Sequence, residues 1–423
     1  MDLPAGAGGQ TISAGGACPE QGSGEVVIEI TGLPEGVEAD VLIAGPTHHE
    51  VKASGTLTDV AAGSYAVTAA RVYDADPLVR TVFDANVTTP DFCVAPGASQ
   101  SIAITYAAIP SSNRLWSVND SSLLGFPANA LDETGSSSAT VKVPATVRSA
   151  AFDRDGHLWT VGGRHILRFA SLGVSGAEDV SIALPNLTCD LPQAHLAFDL
   201  QGNLWVAKFC PEEVLRIAAS DLGTSGEKEP DASFTNVPGA DALAFDQHGN
   251  LWVTSPRKLM RFDAARLGGI DSDPADLELS IVTTGGSSEL WPTGFAFDAA
   301  GNLWGLSFFE NLLFRLAPPD LAGSGVRTVE VKAADVFAVG VATLSTLPAF
   351  DDSGGLWFGV SHHPPTDTVI GRFSPEQLAM NSGGFIEPEV QITSPGSYLG
   401  RVATVAFFPA PVGLPLFHSL PAP

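Results

Sequence analysis

Basic residues are scarce in this chain: Lys and Arg number 21 against 47 Asp and Glu, a formal net charge of −26 over 423 residues. That balance repels phosphate backbones and anionic head groups, which excludes nucleic acid and membrane surfaces as partners. Long apolar runs are missing as well; none approaches the roughly 20 residues that span a bilayer, so no membrane insertion is expected. The first twenty residues have neither a basic start nor an apolar stretch, so no signal peptide is read there. Cysteine is limited to Cys18, Cys93, Cys189 and Cys210, which fall into two local pairs, 18 with 93 and 189 with 210, as suits an oxidising compartment. With a signal peptide absent from the sequence as given, an extracellular, periplasmic or cell-surface location is expected. Ser13-Ala-Gly-Gly-Ala-Cys18 lacks the Leu of a lipoprotein cleavage site, which argues against lipidation. No G-x-S-x-G, H-E-x-x-H, glycine-rich phosphate loop or C-x-x-C is present, which removes the commonest hydrolase, zinc-protease and nucleotide signatures.

Against these absences stands a repeat. Six of the seven tryptophans follow a leucine, at Trp116, Trp159, Trp205, Trp252, Trp304 and Trp357, with spacings of 43, 46, 47, 52 and 53 residues. The last five close the signature A-F-D-x-x-G-[N/H/G]-L-W, beginning at Ala151, Ala197, Ala244, Ala296 and Ala349. A-F-D ends one strand, D-x-x-G is a tight turn whose Asp accepts backbone N–H groups, and L-W opens the return strand. A third strand follows, at 165–169, 214–217, 259–262, 312–316 and 369–373, each carrying an Arg. A loop of the form x-x-Leu-x-x-Ser-Gly leads to a fourth strand. Four antiparallel strands per repeat make a propeller blade. The first unit has Leu-Trp without A-F-D, while Val405-Ala-Phe-Phe408 has the strand without Leu-Trp. One supplies what the other lacks, predicting a ring of six blades with no free edge.

Residues 1–24 are Gly/Ala/Ser-rich and read as a flexible leader. Residues 25–109 hold six short strand patterns ended by Gly, Pro or Asp, predicting a small antiparallel β-sandwich. The propeller is expected over 113–410, with a Pro-rich tail at 411–423. The fold class is therefore all-β: a six-bladed β-propeller preceded by a small sandwich.

The D-x-x-G-N-L-W-V hairpins resemble those of the NHL, gluconolactonase-like and streptogramin-lyase-like propellers. The segment around Gly63-Ser-Tyr65-Ala-Val67 is similar to the immunoglobulin-like or carboxypeptidase-regulatory-like modules of bacterial exported proteins. The resemblance implies a metal held by carboxylates at the channel in the gluconolactonase-like case, and a His with an acid and a metal in the lyase-like case.

Function should lie where the repeats differ. The Trp, Phe and Asp recur and are read as packing and turn residues; the third-strand Arg is expected to stack on an aromatic or pair with a carboxylate. The loops before A-F-D and after L-W-V face away from the Asp turns. They place Arg148, His195, Asp241, Trp291, Thr293, Thr346, Thr404 and Arg401 around the channel mouth, with Lys208, Arg257, Glu310, Asn311, His362 and His363 beside them. This mixed set suits a small-molecule, peptide or protein ligand. One carboxylate and one imidazole fall short of a hard-metal cage, so no cofactor is expected, calcium being the alternative; Asp271-Ser-Asp273-Pro-Ala-Asp276 alternates carboxylates but has Pro274 and no Gly at its sixth position. A monomeric binding protein is the primary reading. A lactonase- or lyase-type enzyme, with His362 or His363 as base beside Glu310, and a structural surface protein are its rivals. A bridge between Cys189 and Cys210 would pin His195 at the mouth.

Overall fold

The computed structural model describes residues 18–19, 21–70, 72–73, 82–109, 114–119, 122–144, 147–153, 157–169, 178–185, 194–209, 212–286, 288–307, 309–334, 347–351, 353–361, 368–380, 384, 386–393 and 402–408. The chain divides into two compact units, one of Met1–Asp76 with Arg80–Pro110 and the other running from Ser111 to Pro423.

The first unit is two sheets sharing one core. In one sheet the order is Gly55–Ala61, Ser23–Thr31, Ser99–Ile109, Val82–Val87, Val72–Tyr73; in the other it is His48–Val51, Val41–Ala44, Gly63–Ala69, Asp91–Val94. Alternation decides which face is inward: Val26 and Ile28 are buried, their sequence neighbours exposed, as a half-buried strand requires. They meet Ile43, Tyr65 and Phe92 of the second sheet in a single hydrophobic cluster. Two strands here escaped the sequence reading, His48–Val51 and Asp91–Val94, and the run Gly63 to Tyr73, read as one strand, is divided into Gly63–Ala69 and Val72–Tyr73. Both missed strands are short, and His48–Val51 buries only Val51, too little to leave an apolar pattern. Cys93 lies on one of them and bridges to Cys18, with the Cα atoms 5.8 Å apart.

The second unit is of the β-propeller type, built of antiparallel strands taken in sequence order. The strands His195–Phe198, Leu204–Phe209, Glu212–Ile217 and Ala232–Phe234 pair as successive neighbours, and the other repeats follow the same order. The Asp turn is the local reason. Asp199 Oδ1 accepts the N–H groups of Gln201 and Asn203, and its Oδ2 accepts Asn203 Nδ2 and Trp205 Nε1. Gly202 takes φ 82°, a conformation that glycine enters without steric cost. The indole-to-carboxylate bond recurs from Trp159, Trp252, Trp304 and Trp357 to Asp153, Asp246, Asp298 and Asp351, at 2.8 to 2.9 Å.

Each of these tryptophans also joins its repeat to the next. Trp116, Trp159, Trp205, Trp252, Trp304 and Trp357 meet Phe152, Phe198, Phe245, Phe297, Phe350 and Phe407 edge-on, with centroids 6.0–6.4 Å apart. Arg168, Arg216, Arg261 and Arg315 lie over the indoles of their own repeats at 5.7–5.9 Å. Most also grip a carboxylate of the following strand, as Arg216 does Asp231.

The Ser-Gly motif is a hook between repeats. Gly226–Glu227 runs parallel to Val180–Ala183 of the preceding repeat, and Ser225 Oγ accepts the N–H of Ser181. Gly325 and Ser324 do the same to the strand Leu277–Thr283. The first repeat's Thr134-Gly135 hooks Val390–Thr393 of the last, where Thr134 Oγ1 accepts the N–H of Gln391.

The strand Val402–Phe408 pairs antiparallel with Arg114–Asn119, Ala406 opposite Trp116. Here the Asp position is taken by Phe408, and buried Trp116 Nε1 has no hydrogen-bond partner among the described residues. The Arg position is Gly125, where a Cβ would lie 2.9 Å from the Trp116 ring, so the indole lies on the glycine itself.

Candidate functional site

The first strands of the repeats line one cavity of about 150 Å³, walled by Phe152, Phe198, Phe245, Phe297, Phe350 and Phe407 and by Leu196, Leu243, Phe295 and Leu347 further along. Its wall is mostly apolar because the inward positions are Ala, Leu, Val, Phe and Pro, with Thr404 the polar residue among them. Water gains little from such a lining.

Polar groups collect at the strand ends remote from the Asp turns. His195 precedes Leu196, and Asp241 lies two residues before Leu243. The His195 Nδ1 is 3.4 Å from Asp241 Oδ1, the imidazole 3% and the carboxylate 25% exposed. Their strands are anchored by buried hydroxyls: Ser149 Oγ accepts the N–H of Leu196, and Thr254 Oγ1 that of Ala242. Lys208, buried, pairs with Glu213 directly across the hairpin. The imidazole and the carboxylate thus lie within ion-pair distance across the boundary between their repeats.

A second group lies on the hairpins of the next repeats. Arg257 is exposed and stacks over Trp291 at 6.0 Å; Phe309, 66% exposed, meets the same indole at 5.1 Å and 55°. Glu310 accepts the N–H of Trp291 at 3.2 Å and contacts the Ser307 hydroxyl. The sequence named Arg257, Trp291 and Glu310 but passed over Phe309, whose signal is an aromatic in a hairpin turn.

The structure thus brings together His195 with Asp241, and Trp291 with Arg257 and Glu310. Thr293 is buried and donates to the Leu306 carbonyl, a bond within its own hairpin. Thr404 is buried on the strand Val402–Phe408. Arg148 lies on the strand Val147–Phe152. Cys189, Cys210, Thr346, His362, His363 and Arg401 lie outside the described residues, as therefore does the bridge expected between Cys189 and Cys210. Asp271 and Asp276, of the alternating acidic run, both pair with Arg266. The Asp273 N–H and that guanidinium hold the Asp271 carboxyl below its ordinary value. Among the described residues no three His, Cys, Asp or Glu side chains cluster to hold a metal ion, and no helix is long and apolar enough to cross a membrane.

No family model matches the chain, and no curated protein does. Solved structures do. A Bacteroides caccae protein of unknown function matches at 14% identity, over 70% of this chain and 98% of its own, with a TM-score of 0.46. A streptogramin B lyase matches at 13% over 69% and 87%, TM-score 0.41. Regucalcin, a calcium-binding protein from Agrobacterium tumefaciens, matches at 16% over 60% and 75%, TM-score 0.39. Likenesses at this level transfer no activity.

Proposed function

We propose that this protein is an exported all-β protein in which an immunoglobulin-like sandwich precedes a six-bladed β-propeller, and that the propeller binds a small molecule, peptide or protein partner on its hairpin-loop face. Three features support the blade count and its closure: the pairing of Val402–Phe408 with Arg114–Asn119, the Trp357–Phe407 contact, and the hook of Thr134-Gly135 on Val390–Thr393. The disulfide between Cys18 and Cys93 supports export.

One observation carries the binding assignment. His195 and Asp241 come from adjacent repeats and meet at 3.4 Å, one next to Leu196 and the other two residues from Leu243, both of which line the apolar cavity. The imidazole is buried and the carboxylate is 25% exposed, so the pair joins two repeats while keeping one titratable group open to solvent. Polar groups convergent on an apolar recess are what orients a bound ligand. A fragment screen by thermal shift tests this: hits should stabilise the native chain and lose that effect in His195→Gln and Asp241→Asn. Hits that stabilise both variants as well as wild type would refute the assignment.

A further inference from the structure

Arg257 repeats, on the surface, a constellation that the protein uses inside its repeats. Arg216 lies over the Trp205 indole at 5.7 Å, donates Nη1 to the Leu267 carbonyl at 2.7 Å, and turns Nε and Nη2 onto the two oxygens of Asp231 at 3.0 and 2.7 Å. Arg257 lies over the Trp291 indole at 6.0 Å and donates Nη1 to the Glu289 carbonyl at 2.9 Å. Among the described residues no carboxylate pairs with it. The same planar cation is stacked and anchored in the same way, and the Nε–Nη2 edge is the side that matches a carboxylate bidentately.

The hairpin holds this arginine at a cost. Arg257 follows Pro256 and takes φ 64°, the second central position of a turn that ordinarily calls for glycine. Asn311, in the facing hairpin, is likewise left-handed at φ 56°. Phe309 stands beside the indole with 66% of its surface exposed, so a ligand reaching the guanidinium would lie along an aromatic ring. Of the two acids at this corner, Glu289 meets Arg257 through its backbone carbonyl, and the Glu310 carboxylate is turned toward the Trp291 N–H and Ser307. The net charge of −26 opposes any anion at long range, but it is screened beyond about 8 Å at physiological ionic strength.

We infer that the Arg257–Trp291–Phe309 corner is a receptor for a carboxylate carried on a flat, apolar-faced ring, the fork taking the carboxylate and Phe309 the ring. The inference rests on the hairpin-loop face being the binding face. An aryl carboxylate and a uronate sugar present the same chemistry, and the test distinguishes them.

Calorimetric titration of the full chain with phenylacetate, with galacturonate and with the methyl ester of each reads the site directly. A lone fork and ring give a Kd on the order of 1 mM, and the tighter of the two acids identifies the source. The acids should bind at least tenfold better than their esters. Arg257→Gly, which suits φ 64° without strain, should weaken them at least tenfold, and so should Arg257→Lys, which keeps the charge without the fork. Phe309→Ser should weaken them several-fold, while His195→Gln leaves them unchanged. Acids that bind no better than esters, or that Arg257→Gly leaves untouched, overturn the receptor, as does an absence of binding by either acid. Loss in His195→Gln with retention in Arg257→Gly overturns it while leaving the binding face standing.

Discussion

Trp357 packs edge-on against Phe407, centroids 6.0 Å apart at 62°, although 50 residues of chain separate them. The contact is the one each earlier Trp makes with the Phe of the following repeat, so the final strand stands where a further repeat would begin. Phe407 is buried, and its replacement by Ala should cost about 3 kcal/mol or more. Deletion of residues 404–423 should abolish cooperative unfolding of the second unit. A truncated chain that melts as wild type does, followed by near-UV circular dichroism, would contradict this closure.

The indoles are chemically unequal. Trp205 Nε1 has Asp199 as acceptor, whereas Trp116 Nε1 has no hydrogen-bond partner among the described residues. Trp205→Phe forfeits a hydrogen bond to a charged group, leaving Asp199 Oδ2 with Asn203 Nδ2 alone; Trp116→Phe removes a donor that has no partner among the described residues. Urea unfolding should show the first to be costlier by about 2 kcal/mol. Equal costs would mean that the Asp–Trp bond does not hold the repeat.

Acid should attack the last repeat through Asp351. Burial pushes its carboxyl up, but hydrogen bonds from Arg372, Trp357 and Ser353 outweigh that, and the net value is lowered. A lowered folded-state value gives stability that is present above the unfolded carboxyl value near 4 and is lost as pH falls through the folded one. The unfolding free energy should therefore decline more steeply below about pH 4 in wild type than in Asp351→Asn. Parallel profiles would refute the role.

The hooks are testable singly. Ser324→Ala removes the acceptor of the Glu278 N–H and should cost about 1 kcal/mol. Gly325, at φ 131°, should tolerate Ala less well, at about 1–3 kcal/mol. No change in midpoint for either would make the hook incidental.

The sequence made legible whatever every repeat needs. The Asp turn, the Leu-Trp strand and the split unit recur, so their roles could be read from spacing. The Ser-Gly motif was equally visible, but its partner is the strand of a different repeat, and no local pattern announces that pairing. The recurring Trp and Phe were legible as packing residues, but the same limit hid which ones meet, each Trp lying edge-on to the next repeat's Phe. His195 and Asp241 were assigned to one rim from strand direction alone, though not their approach to 3.4 Å. Arg257 and Trp291 lie 34 residues apart, and only the fold puts guanidinium over indole.

Ligands are expected to enter the cavity from the side of Leu196 and Leu243, beside which His195 and Asp241 meet. Methyl NMR of the full chain, with the Leu196 and Leu243 signals assigned and fragments titrated, measures this most directly. Both leucines line the cavity. Stabilising fragments should shift these two methyl sets in wild type and not in Asp241→Asn. Shifts confined to residues near the Asp turns, such as Leu200 or Leu251, would contradict it.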